Sequence, residues 1–328
     1  MQRRLKPNVF ITRRIPDESI EMLSKHFNIS IWDKKNQPVP RRILKEKMKN
    51  IDGLLCLLTD NIDKSLIDKT SNLKVISNMA VGFDNIDIES ATNRKIMVTN
   101  TPEILTETTA DLTFALLMST ARRLSESENY LRNGKWKTWS PMLLAGQDIH
   151  GANLGIIGLG RIGEALSKRA KGFNMNIYYY SRTRKKEKEK ELGINYLDLN
   201  SVLKKSDFIC ILIPYNYDTH HFIGKEELTK MKPSAIIINT SRGEIIDEHA
   251  LYSALKNNHI QAAGLDVFEK EPVSLNNPLL SLKNVTALPH IGSASKNTRI
   301  NMSIVAAENL IQGLNGETPD FLVNKTIF

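Results

Sequence analysis

The second half of the chain contains three side chains of the types that assist the reduction of a carbonyl group. Arg242, Glu271 and His290 each stand a few residues beyond a short apolar run typical of a β-strand. An arginine grips a carboxylate through two parallel hydrogen bonds, and a histidine supplies a proton near neutral pH. A neighbouring carboxylate orients the imidazole and favours its charged form. Parallel sheets bind ligands at the carboxyl ends of their strands, so we expect these side chains to converge there.

Each of these residues also has an ordinary structural explanation. Arg242 could be an ordinary surface arginine, and His290 could be a structural histidine in a loop. Taken alone, Glu271 is most simply explained as a polar residue of a solvent-exposed loop. The other histidines considered are expected to be structural or at the surface: His220, His221, His249 and His259. The functional interpretation therefore depends on the three residues occurring together and on a nearby glycine-rich turn.

That turn directly follows another short apolar strand. Its glycines occupy relative positions 1, 3 and 6, as Gly158, Gly160 and Gly163. The first permits a tight turn, the second lets the backbone approach a pyrophosphate, and the third lets a helix pack against the strand. A second apolar run, Asn176–Tyr180, follows at the spacing of a strand–helix–strand unit. This context predicts dinucleotide binding.

The surrounding residues indicate which nicotinamide cofactor is preferred. Arg161 and Ile162 open the helix, whose N-terminus offers N–H groups and partial positive charge to the phosphates. NAD enzymes place a carboxylate after the second strand to bind the ribose 2′-hydroxyl, but Ser181 stands there, followed by Arg182 and Arg184. These groups suit a 2′-phosphate, so the sequence predicts NADP(H) preference. The alternative is a basic loop without that role, with NAD(H) as cofactor.

Composition and charge exclude several classes of protein. The 328 residues suffice for two domains, and 41% hydrophobic with 25% charged residues is typical of globular proteins. No apolar run approaches the ~20 residues of a membrane span, and no apolar core follows the basic N-terminus as in a signal peptide. The net charge of +9 favours anionic substrates, but the lysines are dispersed, so nucleic acid is not expected as a partner. Cys56 and Cys210 lie in apolar runs, which predicts core thiols in a reducing cytoplasm and no metal site.

Strands and helices alternate along two stretches of the chain, which predicts an α/β protein with two Rossmann-like parallel sheets. Glu103–Ser127 has the period of one long connecting helix. The last helix, Ser295–Leu314, and the closing Leu322–Asn324 are expected to return to the first sheet. We therefore predict a nucleotide-binding domain inserted into a discontinuous substrate domain, with residues 1–102 and 295–328 in the substrate domain and 103–294 in the NAD(P)-binding domain.

Five segments, spread over nearly the whole chain, jointly resemble the D-isomer-specific 2-hydroxyacid dehydrogenase family. They are Val81–Asp87, Gly158–Gly163, Asn239–Gly243, Gly264–Pro272 and Pro289–Ala294. Within the family the chain is most similar to the branch of glyoxylate/hydroxypyruvate reductases and bacterial 2-ketogluconate reductases. The resemblance implies a flavodoxin-like substrate domain, reduction of a small anionic 2-oxo acid, and a homodimer.

The resemblance also implies roles at the matching positions. His290 resembles the acid/base that protonates the carbonyl oxygen, Glu271 its carboxylate partner, and Arg242 the residue that grips the substrate carboxylate. The backbone N–H groups of Val81 and Gly82 would hold the same carboxylate from the other domain. Further cofactor contacts are expected at Thr109, Pro214, Thr240, Asp266 and Gly292.

Several alternatives stay open. Trp139 either reaches the partner subunit's active site or packs in a dimer interface. A phosphoglycerate dehydrogenase would share the fold, although a chain ending at Phe328 has no regulatory extension. Formate dehydrogenases also share the fold, but their pattern is a Gln–His pair. The glutamate at position 271 argues against that class. A nucleotide-sensing co-regulator could keep the same residues, and only turnover separates it from an enzyme.

Overall fold

A computed structural model describes residues 6–34 and 36–327, so the basic segment Met1–Leu5 considered above lies outside the described residues. The chain divides into two compact units. The first unit comprises Met1–Leu105 with Ala294–Phe328, and the second comprises Thr106–Ser293. The predicted boundaries, 102/103 and 294/295, fall within a few residues of these divisions.

Within the described ranges the strands are β1 Asn8–Ile11, β2 Asn28–Ile31, β3 Gly53–Cys56, β4 Val75–Asn78, β5 Met97–Thr99, β6 Asn153–Ile157, β7 Asn176–Tyr180, β8 Asn195–Tyr196, β9 Phe208–Ile211, β10 Ile236–Asn239, β11 Ala262–Leu265 and β12 Val285–Ala287. The α-helices of the same ranges are α1 Asp17–His26, α2 Arg41–Lys47, α3 Lys64–Ile67, α4 Ile88–Asn93, α5 Thr106–Ala121, α6 Leu124–Arg132, α7 Arg161–Lys171, α8 Lys186–Leu192, α9 Leu199–Lys205, α10 Lys225–Lys230, α11 Glu248–Lys256 and α12 Lys296–Asn315. Short 3₁₀ turns occupy Tyr217–Thr219, Gly243–Ile245, Pro278–Ser281 and Lys325–Ile327.

The described strands of the first unit form a parallel five-stranded sheet in the order β2-β1-β3-β4-β5. Strands β3 and β4 are buried along their whole length, as expected for a sheet covered on both faces. Helix α12 belongs to this unit although it is distant in sequence. The Ser77 hydroxyl donates to the Ala306 carbonyl at 2.7 Å, and the Ser19 and Ser303 hydroxyls share a hydrogen bond of 2.7 Å.

The end of the chain returns to this sheet, as the sequence predicts. The Val323 N–H donates to the Val98 carbonyl at 2.8 Å, and the Asn324 side chain accepts from the Val98 N–H at 2.8 Å. These bonds hold a segment that is distant in sequence alongside the edge strand β5.

The described strands of the second unit form a parallel seven-stranded sheet in the order β12-β11-β10-β9-β6-β7-β8. Ile157 at the end of β6 pairs with Tyr180 on one side and Ile211 on the other. Asn239 pairs with Leu265, which pairs with Ala287. The strands therefore end level, and the segments that follow them leave from one edge. Two Rossmann-like parallel sheets are confirmed as the fold.

Both faces of this second sheet are covered by apolar side chains. Ile156 and Ile157 are neighbours in sequence but belong to different buried clusters, because successive side chains of a strand point to opposite faces. Helices α5 and α7 pack on the face that contains Ile156.

One expectation about elements is wrong, and one strand was missed. Residues 103–127 do not form one helix, because α5 ends at Ala121 and Arg123 adopts a left-handed backbone with φ 53°. The Ala121 carbonyl accepts from the Gln147 N–H at 2.9 Å, a distant contact that local periodicity does not reveal. The two-residue edge strand β8 was also not expected, since a strand so short leaves no alternating pattern.

Candidate active site at the carboxyl edge of the second sheet

The glycine-rich turn has the shape that a pyrophosphate requires. Gly158 has φ 103°, and a Cβ there would lie 2.7 Å from the Leu212 carbonyl carbon. A Cβ on Gly163 would lie 2.5 Å from the Gly158 oxygen, which explains the close approach of α7 to β6. By contrast, a Cβ on Gly160 would meet no described atom within 4 Å. The turn is therefore closely packed at Gly158 and Gly163, and the space beside Gly160 is open.

The N-terminus of α7 faces the same turn. Its N-cap residue is Gly160, which has no side chain to cap the helix. The first N–H groups of a helix, here including those of Ile162 and Gly163, have no intrahelical acceptor. An open space beside uncapped N–H groups fits the phosphates of a dinucleotide.

The turn after β7 contains the residues predicted to select the cofactor. The Ser181 hydroxyl donates to the Thr183 carbonyl at 2.7 Å, and Arg182 is exposed. No carboxylate occurs between residues 181 and 185. Arg184 is engaged in a two-pronged ion pair with Glu189, a contact that sequence reasoning missed.

His290 and Glu271 meet at the opposite half of the edge, although 19 positions separate them in sequence. The imidazole Nδ1 lies 2.6 Å from Glu271 Oε2, and the side chains are 23% and 24% exposed. Glu271 is itself held, since its Oε1 accepts from the Phe268 N–H at 3.0 Å. An Nδ1–H donated to this carboxylate leaves Nε2 as the ring atom available to a substrate.

Asp266 shapes the turn that contains His290. Its two carboxylate oxygens accept from the N–H groups of Ile291 and Gly292, both at 2.7 Å. Its carbonyl accepts from the His290 N–H at 2.8 Å, and His290 has a left-handed φ of 54°. Burial raises the pKa of Asp266, and the two N–H donors and the nearby imidazole oppose this shift. Asp266 thus holds His290 through its backbone carbonyl and the two residues after His290 through its carboxylate.

The two threonines expected to contact the cofactor, Thr109 and Thr240, lie in this neighbourhood. The Thr240 hydroxyl shares a hydrogen bond of 2.7 Å with Thr113, whose hydroxyl also lies 2.7 Å from the Thr109 carbonyl. A Cβ on Gly292 would lie 3.6 Å from Thr109 Cγ2. Sequence reasoning missed Thr113, because its hydroxyl lies within a largely apolar helix.

Arg242 lies in the turn that follows β10, and the next residue, Gly243, allows this turn to approach another backbone segment closely. The Arg242 carbonyl accepts from the Asn239 side chain at 2.8 Å, and Arg242 Nη1 donates to the Ser241 carbonyl at 2.9 Å. The Ser241 hydroxyl donates to the Ile213 carbonyl. A Cβ on Gly243 would overlap the backbone of Phe268 and Glu269. The arginine turn therefore packs directly on the loop that contains Glu271.

Similarity to known proteins agrees with this geometry. A family model described as D-isomer specific 2-hydroxyacid dehydrogenase, NAD binding domain, matches residues 114–292. A glyoxylate reductase of Thermococcus litoralis is 51% identical over 327 residues, covering 98% of each chain.

The chain belongs to the D-isomer-specific 2-hydroxyacid dehydrogenase family. It is accordingly an NAD(P)-dependent oxidoreductase that acts on 2-oxo acids. Two solved structures are similar to this dehydrogenase over almost its full length. A Thermus thermophilus protein matches with a TM-score of 0.90 and 40% identity, covering 96% of this chain and 99% of that one. An NADPH-dependent glyoxylate/hydroxypyruvate reductase of Sinorhizobium meliloti, in complex with NADP and malonate, matches with a TM-score of 0.85 and 32% identity, covering 98% of each.

Among the remaining predicted site residues of the dehydrogenase, Pro214 lies on this edge after β9, and the others lie in an irregular stretch or in the first unit. Trp139 is 74% exposed in an irregular stretch. Pro214 is exposed after β9. Val81 and Gly82 follow β4 in the first unit, where their carbonyls accept from the side chains of Asn100 and Asn78.

The dehydrogenase also contains a group of potential metal ligands that the sequence did not indicate. Ligand atoms of His221, Asp247 and Glu269 lie within 4.8 Å of one another. These atoms already serve the fold, since Glu269 Oε1 lies 2.9 Å from His221 Nε2 and Asp247 caps α11.

Two further expectations concern the cysteines and the membrane. Cys56 and Cys210 are buried free thiols, and burial raises the pKa of both. Among the helices of residues 6–34 and 36–327, none is long and apolar enough to cross a membrane.

The open space at Gly160 predicts a selective effect of Gly160→Ala. The backbone there is extended, and no described atom obstructs the methyl group, so thermal stability should match that of the wild-type protein. The methyl group would occupy space needed by the pyrophosphate, and we expect NADPH affinity to fall about tenfold. Isothermal titration calorimetry measures the affinity, with Gly172→Ala, at the C-cap of the same helix, as the control. Unchanged NADPH affinity in Gly160→Ala would place the cofactor elsewhere.

Proposed function

We propose that the enzyme is an NADPH-preferring reductase of small 2-oxo acids, with glyoxylate as its principal substrate. Hydroxypyruvate and 2-ketogluconate are the next candidates. The His290–Glu271 pair, at 2.6 Å on the edge that also bears the glycine-rich turn, carries this proposal. The glyoxylate reductase at 51% identity and the glyoxylate/hydroxypyruvate reductase structure support the choice of substrate.

His290 is the proton donor to the carbonyl oxygen. Glu271 accepts a hydrogen bond from the Nδ1–H and orients the ring, which leaves Nε2–H available as the general acid. Since Glu271 is fixed by the Phe268 N–H, the imidazole loses little freedom when a substrate arrives. A bound nicotinamide supplies the hydride in this chemistry.

Arg242 is the residue that binds the substrate carboxylate. Its guanidinium can form two parallel hydrogen bonds with that group, which also orients the adjacent carbonyl. Two further donors are proposed in the first unit. Among the described residues, none accepts from the N–H groups of Val81 and Gly82, whereas both carbonyls are occupied. Such a pair of N–H groups suits an anion.

The preference for NADPH rests on the turn after β7. A carboxylate at residue 181 would repel a 2′-phosphate, and Ser181 is there instead. Arg182 is exposed beside it and offers a charged fork. The similar reductase from Sinorhizobium meliloti is NADPH-dependent, which supports the same preference.

A homodimer is proposed from the apolar surface of the second unit. Helix α6 has no buried residue, and it leads into a stretch with exposed aromatic and aliphatic side chains. We call this surface the exposed arm; its exposed large apolar side chains are Leu124, Leu131, Trp136, Trp139, Met142 and Leu143. An apolar surface of this kind is typical of an interface between subunits. A cytoplasmic location stays a prediction, supported by the two buried free thiols.

A substrate panel tests the proposed activity. NADPH oxidation is followed with glyoxylate, hydroxypyruvate, 2-ketogluconate, pyruvate and phosphohydroxypyruvate, and each reaction is repeated with NADH at the same concentration. We expect the highest kcat/KM with glyoxylate and NADPH. A preference for phosphohydroxypyruvate would indicate a phosphoglycerate dehydrogenase. Absence of turnover with every acid would favour a nucleotide-sensing module, and a clear NADH preference would refute the cofactor proposal.

The role of His290 is tested with His290→Asn. Asparagine tolerates the left-handed backbone found at this position, so the fold should be preserved. Loss of the general acid should lower kcat by about 10²- to 10⁴-fold. NADPH affinity, measured by fluorescence titration, should remain close to that of the wild-type enzyme. His259→Asn, a change at an exposed histidine, is the control, and near-normal kcat in His290→Asn would require another proton donor.

The exposed arm is tested by measuring mass in solution. We expect wild-type protein to sediment at twice the 37.1 kDa chain mass, and Leu131→Asp to sediment as a monomer because the charge disrupts an apolar interface. Trp139→Ala separates the two roles of Trp139. Lower kcat/KM in a variant that stays dimeric indicates a contact with the partner's active site, whereas dissociation indicates interface packing. A wild-type monomer would exclude both.

A further inference from the structure

The turn between β7 and α8 is braced by four side chains, which we call the carboxylate clamp: Tyr179, Arg184, Glu189 and Tyr196. Arg184 donates from Nε to Glu189 Oε1 at 2.9 Å and from Nη2 to Oε2 at 2.8 Å. The Tyr179 hydroxyl donates to Glu189 Oε1 at 2.9 Å and accepts from the Lys185 N–H at 2.8 Å. Glu189 therefore connects the strand, the turn and the helix.

The clamp is anchored in the core of the second unit. The Tyr179 ring is fully buried and contacts Tyr196 edge to face, with ring centroids 5.4 Å apart. The Arg184 guanidinium carbon lies 5.5 Å from the centroid of the Tyr196 ring. The Glu189 side chain is only 14% exposed, whereas that of Arg184 is 52% exposed. The arginine thus spans from a sheltered carboxylate to the surface.

The charges of the clamp are fixed. Hydrogen bonds from Arg184, and less strongly from Tyr179, lower the pKa of Glu189 to about 2. The carboxylate is therefore ionised at every pH at which the enzyme would work. Arg184 directs Nε and Nη2 at Glu189, so its positive charge is already paired with a sheltered carboxylate, and only Nη1 and the second N–H of Nη2 remain for another anion.

Arg182 forms no comparable ion pair with a described residue. It is exposed, and no described residue accepts a hydrogen bond from its side chain. The turn around it is held from within, because the Ser181 hydroxyl donates to the Thr183 carbonyl at 2.7 Å. The clamp secures the far end of the same turn through Lys185.

We propose that Glu189 is a positioning residue for cofactor choice, which holds Arg184 and Tyr179 so that Arg182 meets the 2′-phosphate. Arg184 then stabilises the turn and does not bind the phosphate, in contrast to the expectation from sequence. This inference rests on the proposed NADPH preference and deepens it.

The test uses two nucleotides that differ only in the 2′-phosphate, 2′,5′-ADP and 5′-AMP, so that it does not depend on turnover. Their dissociation constants are measured by calorimetry for wild-type protein and for Glu189→Gln, Arg184→Gln, Arg182→Gln and the double variant of Glu189 and Arg184. Glu191→Gln is the matched control, because Glu191 lies on the same helix and pairs with Lys188 outside the clamp.

We expect Arg182→Gln to weaken 2′,5′-ADP binding by about tenfold or more, since it loses a charged hydrogen bond to the phosphate. Glu189→Gln and Arg184→Gln should each weaken it by about threefold, and the double variant should weaken it no further, because both act through one contact. Binding of 5′-AMP should stay unchanged throughout. In kinetics, Glu189→Gln should raise KM for NADPH without changing kcat or KM for NADH.

Several results would overturn the proposal. Tighter 2′,5′-ADP binding by Glu189→Gln would show that a released Arg184 binds the phosphate. A wild-type preference for 2′,5′-ADP that is undiminished in Glu189→Gln would refute the clamp alone. Equal binding of both nucleotides by the wild-type protein would refute the NADPH preference and the clamp's role with it. Tyr179→Phe replaces Glu189→Gln if the latter unfolds, since it removes one hydroxyl and retains the buried ring.

Discussion

The candidate active site depends on one buried carboxylate. Asp266 is 1% exposed, and a charge so placed is costly unless its oxygens are satisfied. Two N–H groups satisfy them, and these belong to the residues that directly follow His290. Because the same residue also accepts the His290 N–H through its carbonyl, the left-handed turn is held from several directions. The shape of this turn then determines where the imidazole can meet Glu271.

This arrangement couples the strands of the second sheet. Asp266 and Glu271 follow β11, His290 follows β12, and Arg242 follows β10, whose turn rests on the β11 loop. The parallel register ends these strands level, so short loops suffice to bring the side chains near one another. The glycine-rich turn lies farther along the same edge, after β6.

Features governed by local chemistry were predictable from the sequence. The glycine spacing predicted the turn after β6, and apolar runs bounded by polar residues located nearly all the strands. A meeting of Glu271 and His290 was predictable because parallel sheets place strand ends together, and the structure shows this contact.

Features governed by distant contacts were not predictable in this way. The break between α5 and α6 depends on Gln147, and the left-handed backbone of His290 depends on Asp266. Arg184 and Glu189 are only five positions apart, yet their pairing was missed because a run of alternating charges gives no indication of which charges meet. Sequence spacing locates side chains, whereas their partners are determined by packing.

The discontinuity of the first unit constrains how the protein is made. The buried sheet of this unit needs α12 against β3 and β4, and its edge strand needs Val323 and Asn324. The whole second unit, Thr106–Ser293, is synthesised before any of these residues. Since domains generally fold as units during synthesis, the second unit can complete its core on the ribosome. The face of β3 and β4 on which α12 packs must meanwhile stay uncovered, and such exposed apolar surface makes a nascent chain prone to aggregation.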